Sequence, residues 1–133
     1  MTTNNAIYGK TNPSPQDIEK MPIKRYGSVV EIHKEKEQYY RELHANGWAG
    51  VMERIKKSNI QNYSIFIHEI EDRKYLFSYF EYIGTDFEKD MAKINTDEET
   101  RRWWQETDPC QKPLSDAPED GVWSAMEQVF LLE

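Results

Sequence analysis

The polar and apolar positions along this chain fall into a readable order of elements. Across residues 25–33, Tyr26, Ser28, Val30 and Ile32 alternate with Gly27, Val29, Glu31 and His33. That is the period of a strand. Over residues 35–57 the period lengthens. Tyr40, Leu43, His44, Gly47, Trp48, Val51 and Ile55 share one arc, and Arg41, Glu42, Asn46, Glu53, Lys56 and Lys57 fall off it. This spacing predicts one helix with its stripe turned inward. Gly47 and Gly50 each weaken such a helix by up to about 1 kcal/mol relative to alanine. They also mark a close approach by another group, either packed sheet or ligand. After a stop at Ser58-Asn59, residues 62–70 read as a strand with Tyr63, Ile65 and Ile67 on one face. Residues 71–74 form a polar turn, and the aromatic run 75–83 predicts the partner strand of an antiparallel hairpin.

Helical spacing returns at Phe87, Met91 and Ile94. Thr96 followed by Glu99 matches a capping box, a hydroxyl with an acid three positions on. It opens a second helical piece that Pro109 stops. Residues 110–121 carry no period, and 122–132 read as a last strand. The order β-α-β-β-α-β predicts a ferredoxin-like α+β fold, a four-stranded antiparallel sheet with helices on one face. The other face is apolar and needs a cover, and a second copy of the chain is the expected one. Residues 1–22 are polar and proline-bearing and show neither period. They read as a flexible N-terminal arm before a single domain spanning 23–133.

Composition narrows the partners. The chain has 133 residues, enough for one core. Its net charge of −7 speaks against nucleic acid and anionic membrane surfaces. One cysteine, Cys110, excludes an internal disulfide framework and a cysteine-rich metal site. Neither a membrane-length apolar run nor a signal-peptide pattern is visible, so a soluble cytoplasmic protein is the expectation.

The candidate chemistry lies in the helical stripe. Tyr40, His44 and Trp48 place a phenol, an imidazole and an indole on the inward face. Two readings stand. His44 is a core histidine satisfied by backbone, or it is an acid–base group in a polar pocket, with Tyr40 as hydroxyl partner and Trp48 as wall. No phosphate loop, zinc-binding histidine pair or nucleophile elbow is present. Arg102, Trp103 and Trp104 add a cation and two indoles. Neighbouring helical residues point about 100° apart, so one indole can face the pocket while the other enters the core. An indole face with hydrogen-bonding groups around it suits a sugar ring.

In these residues the chain resembles the L-rhamnose mutarotase family, including its relatives described as L-fucose mutarotases. The likeness runs over residues 23–132. It rests on Tyr40-Arg-Glu-Leu-His44 with Trp48 after it, on Asn62-Tyr63, on Arg102-Trp103-Trp104 and on Gln128-Val129-Phe130. The resemblance implies a dimeric α/β barrel of ferredoxin-like subunits, working without cofactor or metal. It implies interconversion of the α and β anomers of a 6-deoxy-L-hexose. His44 would then be the proton donor, Tyr40 and Tyr63 its hydroxyl partners, and Trp48, Arg102, Trp103 and Trp104 the sugar-binding set. Rhamnose-type members follow the helix tryptophan with proline and glutamate, where this chain has Ala49 and Gly50. The segments 81–86 and 107–111 look more like the fucose-type relatives. L-Fucose is therefore the expected sugar, with L-rhamnose as the alternative. A ferredoxin-like monooxygenase or a ligand-binding module is the reading from another class.

Overall fold

The computed structural model describes residues 6–133. Strand β1 (Lys24–Ile32) is followed by a 3-10 turn at Lys34–Lys36 and then by two helices rather than one. A short helix α1 (Pro15–Glu19) precedes β1, and α2 (Glu37–Ala45) and α3 (Ala49–Lys57) follow the turn. The expected single helix breaks at Asn46, whose φ of −135° and ψ of 70° leave the helical region. Trp48 takes extended backbone and becomes the cap of α3. The glycine between them offers the helix no propensity to bridge the gap.

Strands β2 (Ile60–Ile70) and β3 (Arg73–Tyr82) form the hairpin. Its turn is tighter than the sequence pattern predicts, because Glu71 and Asp72 both take positive φ, 48° and 70°. That is the two-residue turn that matches the twist of antiparallel strands. Helices α4 (Phe87–Asn95) and α5 (Glu98–Thr107) follow. Asp97 caps α5 by accepting the Thr100 N–H at 3.0 Å. The capping residue is thus Asp97 and not Thr96, whose hydroxyl instead donates back to the Ala92 carbonyl at 2.8 Å.

The sheet order is β2-β3-β1-β4, all antiparallel. This is the ferredoxin-like arrangement. Its last position is divided: β4 (Gln111–Lys112) pairs with the end of β1 and β5 (Ser124–Met126) with its middle. The long strand expected over 122–132 shrinks to these three residues. Beyond it the Leu131 N–H meets the Thr11 carbonyl at 2.7 Å, which ties the chain's last stretch to the segment before β1. Of the expected arm, residues 1–5 lie outside the described residues, and 6–22 include α1.

Paired positions share a face. Tyr26, Val30 and Ile32 with Phe80, Leu76 and Ile67 turn toward the helices. Two clusters form there. One gathers Val30, Ile32, Tyr40, Leu76 and Cys110, and the other Ile60, Tyr82 and Ile94. Among the described residues no helix is long and apolar enough to cross a membrane.

Candidate active site between α2 and the sheet

A cavity of about 390 Å³ opens between α2 and the sheet. Tyr40 and His44 stand on one side, with Ile32, Ile65, Ile67 and Leu76 on the other. The one-turn spacing of Tyr40 and His44 on α2 stacks their rings, with centroids 4.0 Å apart and planes at 22°. His44 Nδ1 lies 2.9 Å from the Tyr40 carbonyl. A carbonyl only accepts, so Nδ1 carries the hydrogen, and the neutral ring keeps a bare Nε2 on its far side. Partial burial lowers the His44 pKa below its ordinary 6.5, and the backbone hydrogen bond opposes that only in part.

Trp103, buried at 6% exposure, packs behind His44. Its ring meets His44 edge-on at 5.1 Å and Trp48 edge-on at 5.2 Å. The break after Asn46 takes Trp48 off the helical stripe, yet the indole still joins the cluster through Trp103.

Tyr63 reaches the same face through a bulge. Asn62 and Tyr63 together sit in the register shift between Gln61 and Ser64. Asn62 adopts a φ of 49°, a region asparagine tolerates better than most side chains. Glu81 holds the bulge by accepting from Gln61 at 2.8 Å and Asn62 at 2.9 Å. Tyr63 then packs on Phe80 with centroids 5.5 Å apart. The residue is 45% exposed, but its hydroxyl end is set in, and desolvation there raises the phenol's pKa. Tyr40 is 5% exposed, and burial pushes its pKa far above the ordinary phenol value, which a neighbouring Gln111 amide only partly offsets. Both phenols therefore keep their proton near neutral pH.

The geometry divides the other expected site residues. Trp104 turns the opposite way, packs beside the cluster of Ile60, Tyr82 and Ile94, and lines a separate depression with Asn95, Arg101, Gln105, Asp108 and Pro109. That depression, about 500 Å³, is the wider of the two and shares no lining residue with the His44 cavity. The titratable ring of His44 and the phenol of Tyr40 meet at the narrower one. Arg102 lies on the solvent side of α5 and pairs with Glu98 at 3.3 Å.

Two residues enter whose place beside the site the sequence pattern did not give. Gln111 opens β4 and donates from Nε2 to Tyr40 Oη at 3.4 Å. It lies in the stretch without period, so only strand pairing could reveal its direction. Glu99, one turn before Trp103 on α5, lays its carboxylate against Gly50, in the space a Cβ there would need. The close approach that Gly50 marks is thus a carboxylate beside Trp48.

The structure thus brings a phenol and an imidazole together beside two indoles, on the helix side of an antiparallel sheet. Comparison with known proteins carries this further. The family model described as L-rhamnose mutarotase matches residues 25–132. The L-rhamnose mutarotase of Bacillus subtilis is 30% identical over 111 residues, covering 84% of this chain and all of that protein. The one from Lactiplantibacillus plantarum is 28% identical, covering 82% of this chain and 98% of that protein. The crystal structure of L-rhamnose mutarotase from Formosa agariphila shares the fold, with a TM-score of 0.61 at 23% identity over 83% of this chain and 99% of that one. The chain belongs to the L-rhamnose mutarotase family. It is accordingly an isomerase of the sugar mutarotase class.

Proposed function

We propose that this protein interconverts the α and β anomers of L-rhamnose. The observation that carries the reading is the Tyr40–His44 stack, with Nδ1 committed to backbone and Nε2 left free in a cavity of monosaccharide size. The names of the relatives support L-rhamnose over the L-fucose expected from residues 81–86 and 107–111. The acidic side chains of those segments do not line the cavity. Glu81 is occupied by Gln61, Asn62 and Tyr79, and Asp108 lines the other depression. A carboxylate absent at position 50 is nonetheless present beside it, since the Glu99 head lies where a Cβ on Gly50 would stand. Glu99 is the group proposed to accept from a sugar hydroxyl.

The steps need no more than proton transfer. Neutral His44 takes the anomeric hydroxyl proton on Nε2, the bond from the anomeric carbon to the ring oxygen breaks, and an aldehyde forms. The resulting imidazolium delivers that proton to the ring oxygen. The aldehyde carbon rotates, and the same events in reverse close the ring on its other face. His44 thus acts first as acceptor and then as the donor expected of it, because its lowered pKa leaves it neutral near pH 7. The phenols of Tyr40 and Tyr63 donate hydrogen bonds to oxygens that gain charge, and Trp103 and Trp48 supply the flat wall.

Saturation-transfer NMR of anomeric protons, with L-rhamnose and L-fucose side by side, tests the reading. Faster exchange of L-rhamnose is expected. Exchange of neither sugar above background would sink it.

The sheet's second face carries Val29, Phe66, Phe77, Tyr79 and Met126, with Phe66 64% exposed. A homodimer joined through this face is part of the proposal, since so much exposed aromatic surface favours a cover. Sedimentation at micromolar concentration should give about twice the chain mass.

A further inference from the structure

Gln111 has no task in the proton path above, yet it is built into the same cluster. It pairs with Ile32 across β4 and β1, so its side chain projects beneath α2. It is 7% exposed. Nε2 donates to Tyr40 Oη, while Oε1 is buried and meets no donor among the described residues. Buried amides normally find partners for both ends.

The direction of this hydrogen bond matters. A phenol oxygen that receives an N–H keeps its own hydrogen for another acceptor. Among the described residues none takes it. The chain from Gln111 N–H to Tyr40 O–H is therefore open at the end where Tyr40 lines the cavity. In the reverse orientation Oε1 would take the phenol's hydrogen. The chain would close inside the protein, the amide hydrogen now donated would lose its acceptor, and the cavity would lose its donor.

We propose that Gln111 is a positioning residue: its amide donates to Tyr40 and so fixes the phenol as a hydrogen-bond donor to an oxygen of the bound ligand. That the oxygen belongs to a sugar rests on the reading above. The direction of the Gln111–Tyr40 bond does not.

Two measurements on the full chain test this. The first is ¹⁵N NMR of the Gln111 side-chain amide. Tyr40→Phe should shift that resonance and speed its hydrogen exchange, and an unmoved amide would overturn the proposal. The second is anomer exchange by Gln111→Glu. A carboxylate at this position accepts the phenol's hydrogen and reverses the bond. Exchange should fall by at least about tenfold at neutral pH. As pH falls and the buried carboxyl regains its proton, the ratio of variant to wild-type rate should rise, because a carboxylic acid can donate to Tyr40 again. A purely structural Gln111 predicts a ratio that does not change with pH, and that result would overturn the proposal. Should Gln111→Glu not fold, Gln111→Met replaces it. A wild-type rate in Gln111→Met overturns the proposal, and a loss of about threefold or more supports it. If the wild-type protein exchanges neither sugar, the mutarotase reading fails alone, and the hydrogen exchange of the Gln111 amide still tests whether Nε2 donates to Tyr40.

Discussion

Two tyrosines lie under the same face of the sheet, and their surroundings differ in one respect. Tyr82, 1% exposed, is fully paired. Its hydroxyl donates to Asp90 at 2.6 Å and accepts the Asp86 N–H at 3.0 Å. Asp90 also accepts from Asn59 at 2.9 Å and Lys93 at 3.3 Å. The network fastens α4 to the end of β3, and Gly84 leaves the room for it. Tyr40 is buried almost as deeply, yet among the described residues its hydrogen has no acceptor and its partner Gln111 keeps an orphaned oxygen. A satisfied polar network holds structure. One left open beside a cavity costs about 1–3 kcal/mol for its unpaired group until something fills it, which is the ground for the role proposed for Tyr40 and Gln111.

The largest effect is expected at the open cluster. His44→Ala should lower anomer exchange by at least about a hundredfold while the circular dichroism of the fold is kept. An unchanged rate would remove His44 from the proton path.

The sharpest test sets the two phenols against each other. Tyr82→Phe should lower unfolding stability by on the order of 2 kcal/mol, since Asp90 then loses its shortest partner, and should leave exchange within about twofold. Tyr40→Phe should do the opposite. Exchange should fall about tenfold while the urea midpoint holds, because the deleted hydroxyl had only one weak partner. Equal behaviour of the two variants would abolish the distinction.

pH sharpens the same contrast. The Tyr82 hydroxyl, with Asn59, holds the Asp90 carboxyl at about 2, below its ordinary 3.8. Its folded-state pKa is depressed, so its stabilisation is present above 3.8 and is lost as pH falls through about 2. Tyr82→Phe should flatten the fall in urea midpoint across that window. His44 also has a lowered pKa, and the proposed mechanism starts from its neutral form. Exchange above background should therefore hold steady from neutral pH down to 6.5 and decline only below it. A rate that climbs on acidification would make protonated His44 the starting form.

The smallest effect belongs to Arg102. Its pair with Glu98 is exposed, and such pairs contribute about 0.3–0.5 kcal/mol. Arg102→Ala should leave exchange within about twofold, and a larger loss would put this arginine into the site.

Much of the architecture was legible along the chain because periodicity is local. Alternation at Tyr26–Ser28–Val30–Ile32 gave β1, the aromatic run gave β3, and Tyr63, Ile65 and Ile67 were read on the correct face. The stacking of Tyr40 on His44 follows from one helical turn, so it too could be read from spacing. What failed was what depends on partners distant in sequence. The break between α2 and α3 is set by Asn46 and Gly47 and by where Trp48 must go to meet Trp103. The separation of Trp103 from Trp104 depends on which cluster each side of α5 packs against. Gln111 sits in a stretch with no period, and its direction is decided by the pairing of β4 with β1. The Glu99 carboxylate and Gly50 lie 49 positions apart, and no local pattern connects them. Sequence alone determined which faces are apolar, because that is a property of neighbours along the chain. Tertiary structure alone decided which polar groups are left unpaired, because hydrogen-bond satisfaction is counted only after distant segments have met.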